Sequence, residues 1–174
     1  KDESSLWRQW VAEGWVRTTP GNVIDQDVIY EDIMMDAQKF KLYENNNDIK
    51  DPKFGLFVDP YAGWQLIPKL QALGIPAIDI AQNPRNLCPP FSFLEKSITS
   101  NSINFGFNPV LAWQCTNVKT VTLQHDNRMP SKKDSSGRID IISALNMALA
   151  AYLPTTVDAV LPISIYANEE LWRE

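Results

Sequence analysis

Histidine and cysteine are scarce in this 174-residue chain, which holds one His and two Cys. Cys88 and Cys115 stand far apart, in no CxxC or Cys/His cluster. That spacing points to neither a zinc site nor a disulfide framework and leaves two free, buried thiols as the expectation. A lone histidine is more often structural than catalytic, so His125 carries no mechanism. No serine sits in a GxSxG elbow, which removes support for Ser/His/Asp hydrolysis. No GxxxxGK[ST] loop occurs, which excludes an intact ATPase site within these residues. No apolar run reaches the roughly 18 to 20 residues of a membrane span. The opening KDESSLWRQW also lacks the apolar core of a signal peptide. A soluble, intracellular chain with no membrane partner is expected. Surplus positive charge is missing as well: the net charge of −5 argues against a generic basic nucleic-acid coat and leaves room for a local basic patch.

What is present suits one globular domain, since 44% of the residues are hydrophobic and six are Trp. Ser5 is placed to cap a first helix carrying Leu6, Trp7, Trp10 and Val11 on one stripe, with Gly14 as its stop. Trp15 to Arg17 reads as a brief strand or extended stretch, and Asp25 caps a second helix with Ile29, Ile33, Ala37 and Phe40 spaced for burial. The polar stretch Tyr43 to Lys53 reads as an exposed loop. Two short apolar runs, Phe54 to Val58 and Ile75 to Ala81, flank a helical pattern over Gln65 to Leu73, which makes a βαβ unit with a parallel strand pair. Pro89 and Pro90 are expected to precede a helix with Phe91, Leu94 and Ile98. Asn108 and Pro109 start a shorter helix, and Thr120 to Leu123 reads as a strand entering a polar loop, Gln124 to Gly137. Arg138 to Tyr152 is apolar on more than one face and is expected as a buried helix, followed after Pro154 by a mixed tail.

Two acids stand out. Asp59 ends the first apolar run, at the place where α/β sheets carry their chemistry, and Asp140 opens the most apolar helix, where the helix dipole favours a carboxylate. Hard oxygen donors on separate elements suit magnesium or manganese better than zinc. Taken singly, each is more often a turn or cap residue than a ligand, and their joint placement is what favours a site. The loop before Asp140 holds Arg128, Lys132, Lys133 and Arg138 against Asp134, a composition that fits either a solvated loop or a grip on a phosphate backbone.

In order along the chain, WVAEGWVRTTPGNVID, then VDPYAG, then NPVLAWQCTN, then PSKKDSSGRIDIISALNMALAAY resemble the nuclease domain of tailed-phage, including prophage, terminase large subunits. The resemblance runs from about Trp7 to Tyr152. It implies an α/β fold with an RNase H-like mixed sheet flanked by helices, over residues 1–153, with residues 154–174 as a C-terminal tail. It also implies a metal-dependent endonuclease that cuts concatemeric double-stranded viral DNA, with two Mg2+ or Mn2+ ions in the complete domain. Asp59 and Asp140 are then catalytic metal ligands and Lys132 or Lys133 matches a basic position of the family, while the composition of the loop makes Arg128, Lys132, Lys133 and Arg138 the candidates for contacting DNA. The implied partners are double-stranded DNA, the portal, the small terminase subunit and an upstream ATPase domain, in the cytoplasm of a bacterial host. The family carries a first catalytic Asp on strands expected before Trp7, so the resemblance implies a piece of a longer protein that lacks those strands and binds metal poorly by itself. Two other readings stand beside this one: a different RNase H-like nuclease, such as a resolvase or transposase relative, and a non-catalytic module that docks on DNA or the portal.

Overall fold

The computed structural model describes residues 3–40, 42 and 55–160. The predicted loop from Tyr43 to Lys53 and the final part of the tail lie outside these residues.

Helix α1 (Glu3–Ala12) begins two residues ahead of the expected cap, so Ser5 lies inside it. Gly14 takes φ +79°, the left-handed geometry of a helix stop, as expected. No strand follows: Trp15 N and Val16 N both donate to Trp10 O at 2.8 and 3.3 Å, folding the chain back over the end of α1. Asp25 caps α2 (Gln26–Lys39) by accepting from Asp27 N at 2.9 Å.

Strand β1 (Leu56–Val58) pairs in parallel with β2 (Ala77–Asp79), in the register Leu56 to Ala77 and Val58 to Asp79. Between them run α3 (Pro60–Gly63) and α4 (Leu66–Ala72), so the predicted βαβ unit is present, with Pro68 tolerated in the first turn of α4. Side chains of a strand alternate between faces. Leu56 and Ala77 accordingly join a cluster with Ala37 of α2 and Leu70 of α4, while Phe57 and Ile80 join one with Leu87 and Met147. The parallel pair is the middle layer, helices cover both faces, and the core is split into two by the sheet.

Helix α5 (Pro84–Thr99) starts well before the expected point. Asn83 caps it by accepting from Asn86 N at 3.0 Å, and Pro84 takes the first position, where a missing N–H is harmless. Pro89 and Pro90 therefore fall inside the helix rather than ahead of it. Burial of Leu87, Cys88, Pro90, Phe91 and Leu94 on one face offsets the two absent backbone bonds. Helix α6 (Pro109–Asn117) is capped by Asn108, which accepts from Val110 N and Leu111 N, both at 3.0 Å. Trp113 of α6 meets Trp7 and Trp10 with ring centroids 5.6 and 5.5 Å apart, which fastens α1 to α6.

The stretch expected as a loop after Leu123 contains a strand, although Ser131 to Gly137 is irregular as expected. β3 (Thr120–Thr122) pairs antiparallel with β4 (Arg128–Pro130). The turn between them uses His125 and Asp126 at φ +57°, a region that His and Asp enter more readily than most residues. Leu123 N donating to Asn127 O at 2.7 Å closes the hairpin. A proline is acceptable at Pro130 because the strand lies at an edge. Helix α7 (Asp140–Val160) closes the domain and continues through Pro154. Among the described residues the strands thus form one parallel and one antiparallel pair within a mixed α/β fold. None of the described helices is long and apolar enough to cross a membrane.

Cys88 is buried in α5 as expected, whereas Cys115 is exposed on α6. Loss of hydration pushes both thiols up from their ordinary range. Iodoacetamide is expected to alkylate Cys115 well before Cys88 in the folded chain, with both rates rising with pH. Peptide mass spectrometry checks the order, and equal rates would contradict the packing around Cys88.

Candidate functional site

Asp59 follows directly on β1 because the strand ends in an N-cap: its carboxylate accepts from Tyr61 N at 2.9 Å and Pro60 opens α3. The fold sets this turn tightly. A Cβ on Gly63 would come within 2.9 Å of Val58 Cγ1 and 3.0 Å of Ile67 Cδ1, so only glycine lets α3 lie this close to β1. Tyr61 and Trp64 are consequently turned outward, 93% and 70% exposed.

Asp140 begins α7 as expected, but its surroundings come from distant parts of the chain. Gln114 of α6, 3% exposed, accepts from Ile141 N at 2.7 Å and so caps a helix whose own sequence supplies no cap. The basic segment before α7 is fastened rather than free. Ser131 N donates to Lys119 O at 2.8 Å, Lys119 N to Ser135 Oγ at 3.0 Å, and Asn117 Nδ2 to Arg138 O at 3.2 Å. Gly137 passes so close that a Cβ there would lie 2.8 Å from Asn117 Nδ2. This anchoring brings Lys132 Nζ to 3.0 Å from Asp140 Oδ1 and Arg138 to 3.9 Å from Asp140 Oδ2. Arg128 turns away, pairing from β4 with Glu95 of α5 at 3.0 Å. Lys133 is exposed and lines a cavity with Lys132, Ser143, Asn146 and Gln82.

Neither acid lines that cavity, but residues near each of them do. Gln82 lies three residues beyond Asp79, the register partner of Val58, so at most about 10 Å of chain separates it from the strand ends beside Asp59. On the other side the cavity is lined by Lys132, which holds Asp140. The carboxyl end of the parallel pair and the start of α7 therefore belong to one end of the molecule. Among the described residues no three His, Cys, Asp or Glu side chains stand together.

Two residues of this region have no role in the sequence-based expectations. Asn146 was legible in principle, as an amide in the middle of an apolar helix. Gln114 was not, because its partner lies 27 positions away. Gln114→Leu is expected to lower stability by about 1 to 3 kcal/mol through the orphaned N–H, whereas Gln114→Glu, which keeps an acceptor there, retains most of it. Urea unfolding midpoints of the two variants test this.

Comparison with known proteins gives a consistent result. A family model described as terminase large subunit, endonuclease domain, matches residues 5–155. The chain is 26% identical over 153 residues to the terminase large subunit of Enterobacteria phage HK97, covering 87% of this chain and 28% of that protein. It is 27% identical over 145 residues to protein YmfN of Escherichia coli K12, covering 82% of this chain and 30% of that one. The crystal structure of the HK97 large terminase superimposes with a TM-score of 0.72 at 26% identity, over 86% of this chain and 29% of that one. The chain thus spans less than a third of the length of these relatives.

Proposed function

Because the chain belongs to the family of terminase large subunit endonuclease domains, we propose that it cuts double-stranded viral DNA during packaging, using divalent metal held by Asp59 and Asp140. The observation that supports this reading most directly is the cluster at the start of α7, an exposed carboxylate with Lys132 and Arg138 around it. Such a cluster offers an anionic ligand site and cationic contacts for a phosphodiester side by side.

The donor chemistry fits magnesium or manganese, because both acids offer hard carboxylate oxygens. A bound ion would polarise the scissile phosphate and lower the pKa of an attacking water. Asp140 would have to give up or share Lys132 to hold a cation, which would leave Lys132 and Arg138 available to the phosphate backbone. Lys133, exposed beside them, extends the same contact. Asp59 keeps its cap to Tyr61, which fixes the carboxylate's direction, and offers its other oxygen. Arg128, committed to Glu95, contributes less to DNA binding than the other three. The ATPase domain, portal, small subunit and cytoplasmic setting implied by the resemblance belong to this same proposal.

The test is nicking of supercoiled plasmid by the full-length protein with magnesium, with manganese and with a chelator. Cutting that depends on the divalent ion supports the reading. Undiminished cutting in the chelator would sink its metal-dependent part.

A further inference from the structure

Two aromatic side chains beside Asp59 take no part in the core. Tyr61 is 93% and Trp64 70% exposed, and among the described residues neither ring stacks against another. The backbone from Pro60 to Trp64 is helical, so residues three apart are neighbours on its surface. Gly63 marks the inner side of that turn, packed on Val58 and Ile67, and Tyr61 and Trp64 share the outer side. The cap fixes their place relative to the acid. Asp59 Oδ1 lies 2.9 Å from Tyr61 N, and the first carbon of a side chain is about 2.5 Å from its own nitrogen. The Tyr61 side chain therefore springs from within about 5.5 Å of that carboxylate. Single exposed apolar residues need no explanation, whereas a contiguous apolar patch marks an interaction site.

The surroundings select the partner. Asp79, exposed at the end of β2, is the register partner of Val58, so a second carboxylate stands on the neighbouring strand end, about 4.8 Å across the sheet. An apolar protein surface seated on the two rings would draw these carboxylates out of water without a counter-charge, which is costly. DNA carries its own atmosphere of cations, and the same end of the molecule offers Lys132 and Arg138 to its phosphates. In an intact duplex only base edges are accessible, whereas an aromatic ring stacks on the face of a base. We propose that Tyr61 and Trp64 are a stacking platform for unpaired bases of the DNA strand at the cutting site. That strand is held by its bases on α3 and by its phosphates at the start of α7. The inference rests on the nuclease reading for the identity of the polymer, and adds that the strand is locally opened where it is cut. Stacking tolerates any base, so the platform positions the strand without choosing the sequence.

The test uses the 174-residue chain, a fluorescein-labelled single strand of DNA and an abasic strand with the same number of phosphates, with anisotropy as the readout. Calcium is present as an oxygen-seeking divalent ion. Replacing both rings, Tyr61→Ala with Trp64→Ala, is expected to weaken binding of the base-bearing strand at least about tenfold, since one base–aromatic stack is worth about 5- to 150-fold. Binding of the abasic strand is expected to change by less than about twofold, because its phosphate contacts are untouched. Both side chains stand in solvent and the cap to Asp59 uses the backbone N–H of Tyr61, so this variant keeps the fold. Tyr61→Phe with Trp64→Phe leaves a ring in each place and retains most of the affinity. Independently of any variant, a strand carrying 5-iodouracil, irradiated with the unaltered chain, is expected to become attached to Tyr61 or Trp64, as located by peptide mass spectrometry. Equal loss on the two strands, no loss on either, no base-dependent binding by the unaltered chain, or attachment only elsewhere overturns the inference and leaves the ring pair as a face for a protein partner. Metal-dependent cutting that needs Asp140 would survive that outcome, so the platform can fail while the nuclease reading holds.

Discussion

Asp140→Asn is expected to reduce plasmid nicking by more than about a hundredfold while leaving the fold in place. Outer-shell partners of catalytic metals typically contribute 10- to 100-fold, and a direct ligand contributes more. Asparagine keeps the shape of the side chain and can still accept from Lys132, but it removes the charge that holds a cation. The expected effect on stability is small for two reasons. The ion pair with Lys132 is exposed on both sides, 64% and 58%, and such pairs contribute about 0 to 1 kcal/mol. The loss of a negative charge in the first turn of α7 adds about 0.3 to 1 kcal/mol. Steady thermal unfolding combined with lost cutting would assign Asp140 to the chemistry. Cutting within a few-fold of the parent would return it to the role of a helix-start acid. Lys132→Ala is the contrasting variant: it leaves a ligand in place, so it weakens DNA binding with a reduced salt dependence.

Leu70→Ala is expected to lower stability by about 2 to 5 kcal/mol. Leu70 is 0% exposed and stands with Ala37, Ile75 and Ala77 at the junction of α2, α4 and the parallel pair. Ala37 and Ala77 carry too little side chain to fill the space left behind, which places the expected cost in the upper part of that range. A domain of this kind has about 5 to 15 kcal/mol in total, so the loss would be conspicuous as a shift of the urea midpoint with an unchanged slope. A cost under about 1 kcal/mol would mean that the layer over this face of the sheet is far looser than its burial indicates.

What could be read from the residues in advance was local. Asp25 and Asn108 announced their helices because a cap needs only a side chain and the next two or three backbone N–H groups. The βαβ unit announced itself through two short apolar runs around a helical pattern. The family resemblance was carried by motifs in order, and the match over residues 5–155 bears it out. The failures share a cause. Pro89 and Pro90 signalled a helix boundary by their intrinsic preference, and the buried face of α5 overrode it. Arg128 to Pro130 looked like loop because its pairing partner, Thr120 to Thr122, lies on the far side of an unusual turn at His125 and Asp126. Ser5 lost its expected role because α1 had already begun. At the candidate site the two acids were visible as residue types in telling places. The connection of Lys132 to Asp140, the turning of Arg128 toward Glu95 and the support from Gln114 depend on tertiary contacts that no local pattern encodes.

The cap on α7 bears on whether this site can be transplanted. The segment from Ser131 to Asp140 has the look of a portable motif, a basic loop leading into an acid. Yet the first turn of its helix is completed by Gln114, and its loop is tied to Asn117 and Lys119. Helix α6 is in turn held by the indole contacts of Trp113 with α1. Grafting residues 131–140 onto a foreign scaffold would therefore carry over the charges without their spacing. A transferable unit would have to carry α1, α6, the hairpin and α7 together with α5, which packs against both α7 and β4.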